Sequence, residues 1–210
     1  MICYTVITNN YDLLKPPRVV SKGWDYICFS DRHHDSKVWQ TQVIEGDNRK
    51  VKILPQDELF TGVTLYIDGS IQVIGDLNEF VKEVGEFAIP VHIERDCTYA
   101  EAKAVVRLKN IDRDTVKTQV SRYRDNGFPA HWGLGANGVI LRDTSDIIMR
   151  RICRRWWIEY LRGAKRDQLS LMYTCWRHNI KPDLFSRKIF DKYFKKGKHN
   201  KFHTPGRSSI

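Results

Sequence analysis

The stretch Leu65-Tyr66-Ile67-Asp68-Gly69-Ser70 is an apolar run that delivers a carboxylate into a tight glycine turn. A hard divalent cation takes oxygen ligands and often shares them with phosphates. A strand-end Asp68 with a nearby oxygen at Ser70 is therefore a candidate seat for Mn2+ or Mg2+ against a diphosphate. Asp-Gly is also a common turn pair, so the same residues can form a plain turn. A second group, His92, Glu94, Arg95 and Asp96, follows an apolar run. Strand alternation would put His92, Glu94 and Asp96 on one face, either as a buried salt-bridge network or as groups for acid–base work by Glu94 or Asp96. The segment from His131 and Trp132 to Asn137 and Gly138 is a glycine-rich turn before a strand, and its glycines permit close backbone approach to a ligand. Asp167, followed by Gln168, opens a helix, where an N-cap carboxylate needs no chemical role. His33-His34-Asp35 is the one cluster that points towards phosphodiester hydrolysis, and it has no evident carboxylate partners.

Charge separates the chain into two parts. Of 35 Lys and Arg residues, 17 fall within 150–210, against 4 acids, so the last third carries net +13. The first 149 residues hold 18 basic and 21 acidic residues, net −3. Such asymmetry suits a polyanionic partner or an acidic membrane surface. From Arg187 to Arg207 there are eight basic residues and one acid, Asp191, interleaved with Phe190, Tyr193, Phe194 and Phe202. Basic side chains can meet phosphates and aromatic rings can stack on bases.

The elements that must position these groups alternate. Near-continuous apolar runs at 2–8 and 24–29, and further runs at 38–44, 63–67, 71–74, 87–93 and 138–141, read as strands. Helices are expected at 49–54, 76–84, 98–109, 112–125, 145–161 and 167–178. In 145–161 the apolar face is Ile148, Met149, Ile152, Cys153, Trp156 and Tyr160, with Arg150, Arg151, Arg154 and Arg155 turned largely to solvent. Alternating strands and helices imply an α/β fold with ligands at the carboxyl ends of the strands. Those ends carry Thr8-Asn9-Asn10, Ser30-Asp31 and Asp68-Gly69-Ser70. None of these strand ends carries a G-x-G-x-x-G or a Walker motif. With 210 residues, one domain over 1–186 and a basic C-terminal segment over 187–210 are expected. Five cysteines without C-x-x-C spacing argue against a zinc site or a disulfide framework. The N-terminus lacks signal-peptide character and no apolar run is long enough to cross a bilayer, so a cytoplasmic location is expected.

Seven stretches, YTVITNNYDLLKPP, GWDYICFSD, KILP, LYIDGSIQV, HIERDCTYAEA, GFPAHWGLGANGVILR and WWIEYLRGAKRDQLS, run in order from about residue 4 to residue 171. Together they resemble the plant mucilage-related and turgor-defect-related glycosyltransferase-like family. The resemblance implies a single α/β domain of the GT-A type that binds a nucleotide sugar, uridine-linked, with a DxD-like metal motif. Ser70 stands where that pattern has its second acid, and a neutral oxygen holds a cation less strongly.

The resemblance also implies roles. Thr8, Asn10, Asp12 and Asp31 would seat the nucleoside, and Arg49 and Lys52 would meet the diphosphate. Asn137, Gly138 and Gln168 would line the sugar. Asp167 would be the first candidate for the general base and Glu94 or Asp96 the next. A histidine from the C-terminal segment, His203, would join Asp68 and Ser70 at the metal. Less securely the resemblance extends to bacteriophage enzymes that glycosylate hydroxymethylated bases in DNA. On that reading the acceptor is DNA in the host cytoplasm. His131 and Trp132 would contact the acceptor, and Arg150, Arg154, Arg155, Lys195, Lys196 and Lys198 the phosphate backbone. A glycan or protein acceptor, or an inactive nucleic-acid-binding protein, are the alternatives.

Overall fold

The computed structural model describes residues 1–45, 47–57, 62–109 and 111–198. The first strand, β1 (Ile2–Ile7), lies inside a seven-stranded sheet. On one side it pairs in parallel with β2 (Asp25–Ser30), which pairs in parallel with β3 (Gln40–Val43). On the other side it pairs in parallel with β4 (Val63–Ile67). After β4 the chain passes through a seven-residue helix at 77–83, a short strand of the same sheet at 88–90 and two longer helices at 98–109 and 113–125. It returns as β7 (Val139–Asp143), which is antiparallel to both β4 and β6 (Ala88–Pro90). The far edge is β8 (Asp183–Phe185), parallel to β6. One antiparallel strand in an otherwise parallel sheet, flanked by helices, is the mixed α/β architecture expected of a GT-A-like domain.

Both faces of this sheet are covered, and the two-residue period decides which side chain goes where. Tyr4, Ile27, Phe29, Tyr66, Ile89 and Ile140 point to a core shared with α1 (Asn48–Ile53), α5 (Ile147–Arg162) and α6 (Asp167–Arg177). Cys3, Ile7, Tyr26, Cys28, Leu65, Ile67 and Leu141 point to the opposite core, with α2 (Leu77–Glu83) and α7 (Arg187–Tyr193). All five cysteines are buried free thiols, and burial pushes that of Cys28 up to about 12. A third, small cluster joins α3 (Thr98–Lys109) and α4 (Arg113–Asp125) to α6 through Ala102, Val105, Val116 and Leu169.

The expected elements are present, with differences that have local causes. In α5 the buried face is Met149, Ile152, Cys153, Trp156 and Tyr160, but Ile148 is exposed, and Arg150 is half-buried. Ile148 stands in the first turn, with its N–H bonded to the N-cap carboxylate of Asp146. The strand expected over 87–93 ends at Pro90. Beyond it the chain folds around the His92 ring, whose Nδ1 accepts from the backbone N–H groups of Glu94 and Arg95 at 3.3 and 3.2 Å. Alternation therefore does not hold from His92 to Asp96. The basic segment is built into the body of the protein over 187–198. There α7 leads into β9 (Phe194–Lys196), which pairs antiparallel with β5 (Ile71–Val73). No helix among the described residues is long and apolar enough to cross a membrane.

Candidate functional site

The carboxyl ends of β1 and β4 open into a cavity of about 360 Å3. Its lining includes Asp12, Asn48, Arg49, Lys52, Tyr66, Asp68, Asn137, Gly138, Arg166, Asp167, Gln168, Arg187 and Lys196. A second cleft adjoins it, lined by Thr8, Asn9, Asp31, Val43, Ile44, Glu45, Asp47 and Asn48, with Asn48 belonging to both. Three chain segments deliver the charged groups around Asp68 and Asp167. The short α1, capped by Asp47, supplies Arg49 and Lys52. The turn after β4 supplies Asp68. The start of α6 supplies Arg166 and Asp167, after a left-handed turn at Lys165 (φ 49°).

Lys52 is the centre of the arrangement. Its ammonium lies 2.7 Å from Asp167 Oδ2 and 3.4 Å from Asp68 Oδ1. Arg49 is a second partner of Asp167, at 3.8 Å. Burial alone would push the Asp167 carboxyl up, but Lys52, Arg49 and Arg166 outweigh it and hold that carboxyl well below the usual carboxylate range. The short Lys52 contact is an ion pair whose angle leaves Oδ2 without an aligned hydrogen-bond donor. Asp68 accepts a 2.7 Å hydrogen bond from the Tyr66 hydroxyl. Burial first, and then the Asp68 charge, raise the Tyr66 phenol well above its ordinary value and keep it a donor. Asn137 is buried at 3% exposure on the cavity wall, and its Nδ2 has no hydrogen-bond partner within the protein. A buried amide donor without a partner is costly unless something completes it.

The structure brings together Asp12, Arg49, Lys52, Asp68, Asn137, Gly138, Asp167 and Gln168 in the first cavity, and Thr8 and Asp31 in the adjoining cleft. Asn10 lines neither, and its side chain accepts from Arg32. Ser70 is 1% exposed and absent from the cavity lining. Glu94 is exposed and paired to Arg95 at 2.8 Å, while Asp96 is exposed and meets His131 Nδ1 at 2.8 Å. Glu94 and Asp96 do not line the cavity. Arg95 also holds the buried Glu101 at 2.7 Å, so the buried part of the salt-bridge network expected of this cluster is Arg95 with Glu101, and Glu94 joins it from the exposed side. Trp132 is half-buried, with Lys181 over its ring. Of the expected phosphate contacts only Lys196 lines the cavity; Arg150, Arg154 and Arg155 are on α5, and Lys195 and Lys198 are exposed. His203 lies outside the described residues. His34 bonds Ser30 Oγ at 2.9 Å and lines neither cleft.

Among the glycines, Gly138 does serve the site. A Cβ there would stand 3.1 Å from Asp68 Oδ2. Gly135 serves the core, since a Cβ would stand 2.1 Å from Ile89 Cδ1. Sequence reasoning passed over Tyr66, Asn48, Arg166, Arg187 and the buried Arg142. The apolar neighbours of Tyr66 and Arg142 suggested plain strand, and nothing local marked either as polar support.

The metal reading can be tested on the same atoms. Asp68 Oδ1 is already engaged by Tyr66 and Lys52. Ser70 is buried off the wall. Among the described residues no group of three or more His, Cys, Asp or Glu side chains could hold a metal ion. Of the expected ligands Asp68, Ser70 and His203, only Asp68 lines the cavity among the described residues.

A family model described as TOD1/MUCI70, glycosyltransferase-like domain, matches residues 50–202. That stretch contains Lys52, Asp68, Asn137 and Asp167 and begins after β1, β2 and β3. No curated protein matches the chain.

Proposed function

The chain belongs to the TOD1/MUCI70 glycosyltransferase-like domain family, and from that premise we propose that it transfers a sugar from a nucleotide sugar to a hydroxyl group. The observation that carries the reading is the convergence of Arg49, Lys52, Arg166, Arg187 and Lys196 on one cavity where the described residues place three carboxylates, Asp12, Asp68 and Asp167. Fixed cations facing a cleft are suited to a diphosphate. The adjoining cleft at Thr8 and Asp31 suits the nucleoside, and a uridine-linked donor is the first candidate. Asp31 there accepts from the Asn9 backbone N–H at 2.6 Å, which fixes its carboxylate as an acceptor for a ribose hydroxyl. The unpaired Asn137 Nδ2 would meet a sugar or phosphate oxygen.

In the reaction the bond from the anomeric carbon to the diphosphate oxygen breaks, and a bond from the acceptor oxygen forms. The diphosphate leaves with the electron pair, and the acceptor's proton passes to the departing diphosphate or to solvent. Lys52, Arg49 and Arg166 stabilise the charge that grows on the leaving group. An efficient general base has a pKa near the working pH. Asp167, held far below that range, is a weak proton acceptor, so its role is to fix Lys52 and Arg49 against the donor.

For the acceptor we propose a polyanion, with hydroxymethylated bases in DNA first. The support is the net +13 of the last third and the rim cations Arg187 and Lys196, which continue into exposed Lys195 and Lys198. A glycan or protein acceptor is the competing outcome. The test is a thermal-shift panel of nucleotide sugars, followed by mass spectrometry of hydroxymethylated DNA and of oligosaccharides incubated with the donor that binds. A ligand of the folded state raises the melting temperature by mass action. A shift with a uridine diphosphate sugar, lost in Asn137→Leu, is expected. No shift with any nucleotide sugar would remove the transferase reading, and transfer only to oligosaccharides would remove DNA.

A further inference from the structure

We propose that the Lys52 ammonium stands where a divalent cation would stand beside Asp68, so that the donor diphosphate is held by side-chain cations without a metal ion. The proposal rests on the diphosphate seat described above and goes on to say how that seat is charged.

Lys52 is not an ordinary lysine. It is 2% exposed, its Nζ spans Asp167 at 2.7 Å and Asp68 at 3.4 Å, and it lies 4.8 Å from the centre of the Tyr66 ring. Its backbone is fixed as well. The Lys52 carbonyl accepts from the Tyr4 hydroxyl at 3.0 Å and from the buried Arg142 guanidinium, which also donates to the Ile53 carbonyl at 3.4 Å. A positive charge pinned at both ends of its side chain is preorganised, as a bound ion would be.

The surroundings then exclude a second cation. A divalent ion of this kind wants six or more oxygens in its shell. Asp68 Oδ1 is shared between Tyr66 and Lys52, while its side chain stays 36% exposed and Oδ2 faces Gly138. The Ser70 hydroxyl is not on the wall. The other two carboxylates of the cavity are Asp167, held by Lys52 and Arg49, and Asp12, packed against Gly69. A dication at Asp68 would also lie within a few ångströms of the Lys52 ammonium, with Arg49 close by, and would be repelled by both. Side-chain cations are at hand without it, since Arg49, Arg166, Arg187 and Lys196 line the same space, Arg166 also pairing with Glu101 at 3.7 Å and Arg187 with Asp191 at 2.7 Å.

The test uses the whole chain, Mn2+ alone, and inorganic pyrophosphate as the diphosphate probe. Titration of Mn2+ followed by electron paramagnetic resonance is expected to show no site that Asp68→Asn removes. Calorimetric binding of pyrophosphate in EDTA is expected to match that in Mn2+ within about threefold. It should weaken at least tenfold in the double variant Lys52→Met with Asp167→Asn, which removes both buried charges and so avoids leaving one unpaired. An Mn2+ site that depends on Asp68, or pyrophosphate binding that requires Mn2+, overturns the proposal. So does the absence of pyrophosphate binding in every condition. Metal-free pyrophosphate binding together with no response to any nucleotide sugar would keep the Lys52 assignment and reject the donor instead.

Discussion

Replacing Lys52 with Met removes one charge of a buried pair and leaves the other. Lys52 and Asp167 have side chains 3% and 4% exposed, with 2.7 Å between the charged atoms. At that distance and an effective dielectric of about 20, the attraction is on the order of 6 kcal/mol before desolvation is subtracted. Breaking a buried pair from one side costs about 3–5 kcal/mol. Arg49 stays at 3.8 Å, but its side chain is 38% exposed, so its compensation is partial. We expect Lys52→Met to lose about 3 kcal/mol at pH 7 in urea unfolding, the low end of that range. The pH dependence has a definite sign. The folded-state pKa of Asp167 is depressed, so the stability that its ionisation contributes is complete above the unfolded value of about 3.9 and is lost as pH falls below it. Protonating Asp167 takes the ion pair from the native protein and relieves the unpaired charge in the variant, so the gap between the two narrows in acid. Adding Asp167→Asn to Lys52→Met should recover at least half the loss. A loss below about 1 kcal/mol at pH 7, the size of an exposed pair, would refute the reasoning, as would a gap that stays constant into acid.

Gly135→Ala is expected to destabilise by about 1–3 kcal/mol through overpacking against Ile89, because the new Cβ would start 2.1 Å from Ile89 Cδ1. Thermal melts check this, and Ile89→Ala in the same chain should return part of the loss. If DNA is the acceptor, its binding should weaken steeply with salt, the logarithm of affinity falling with a slope of roughly −0.9 per phosphate contacted. Salt-insensitive binding would set the basic rim aside as an acceptor surface.

The strand-then-turn reading of Leu65 to Ser70 placed Asp68 correctly, because an apolar run ending in Asp-Gly carries its own geometry. The face of α5 was legible for the same reason: period and side-chain size are local. The partners of Asp68 and Asp167 were not, since Lys52 sits in a basic run, Arg49-Lys50-x-Lys52, that looks like a solvated face. Only the packing of α1 on the sheet turns Lys52 inward while Lys50 stays exposed. The antiparallel direction of β7 was equally hidden, because pairing direction depends on where the chain has been, not on Val-Ile-Leu itself. The elements β8, α7 and β9 have three, seven and three residues, too short for periodicity to show. Phe194-Lys195-Lys196 reads as tail until Ile71 and Val73 supply its ladder.

A six-residue helix does not hold itself together in water, since nucleation fixes several residues for very few hydrogen bonds. α1 is that short, so its shape must come from what it touches. The Asp47 carboxylate caps one end through the Arg49 N–H at 2.8 Å. At the other end the carbonyls of Lys52 and Ile53 meet the guanidinium of Arg142, a residue only 1% exposed. Cations are favoured at the carbonyl end of a helix. A buried arginine is still a costly way to finish one turn of backbone, and apolar packing would often serve stability as well. The use of Arg142 is understandable if the requirement is position. Tyr4 and Arg142 are tied to each other at 2.6 Å, one on β1 and one on β7. Through them the sheet itself fixes where the Lys52 backbone stands. The cation in the cavity is thus referenced to β1, whose end leads to the turn with Asp12, and to β7, the direct neighbour of β4, whose end carries the carboxylate of Asp68. Any sliding of α1 along the sheet would break three hydrogen bonds in the core before it moved the charge.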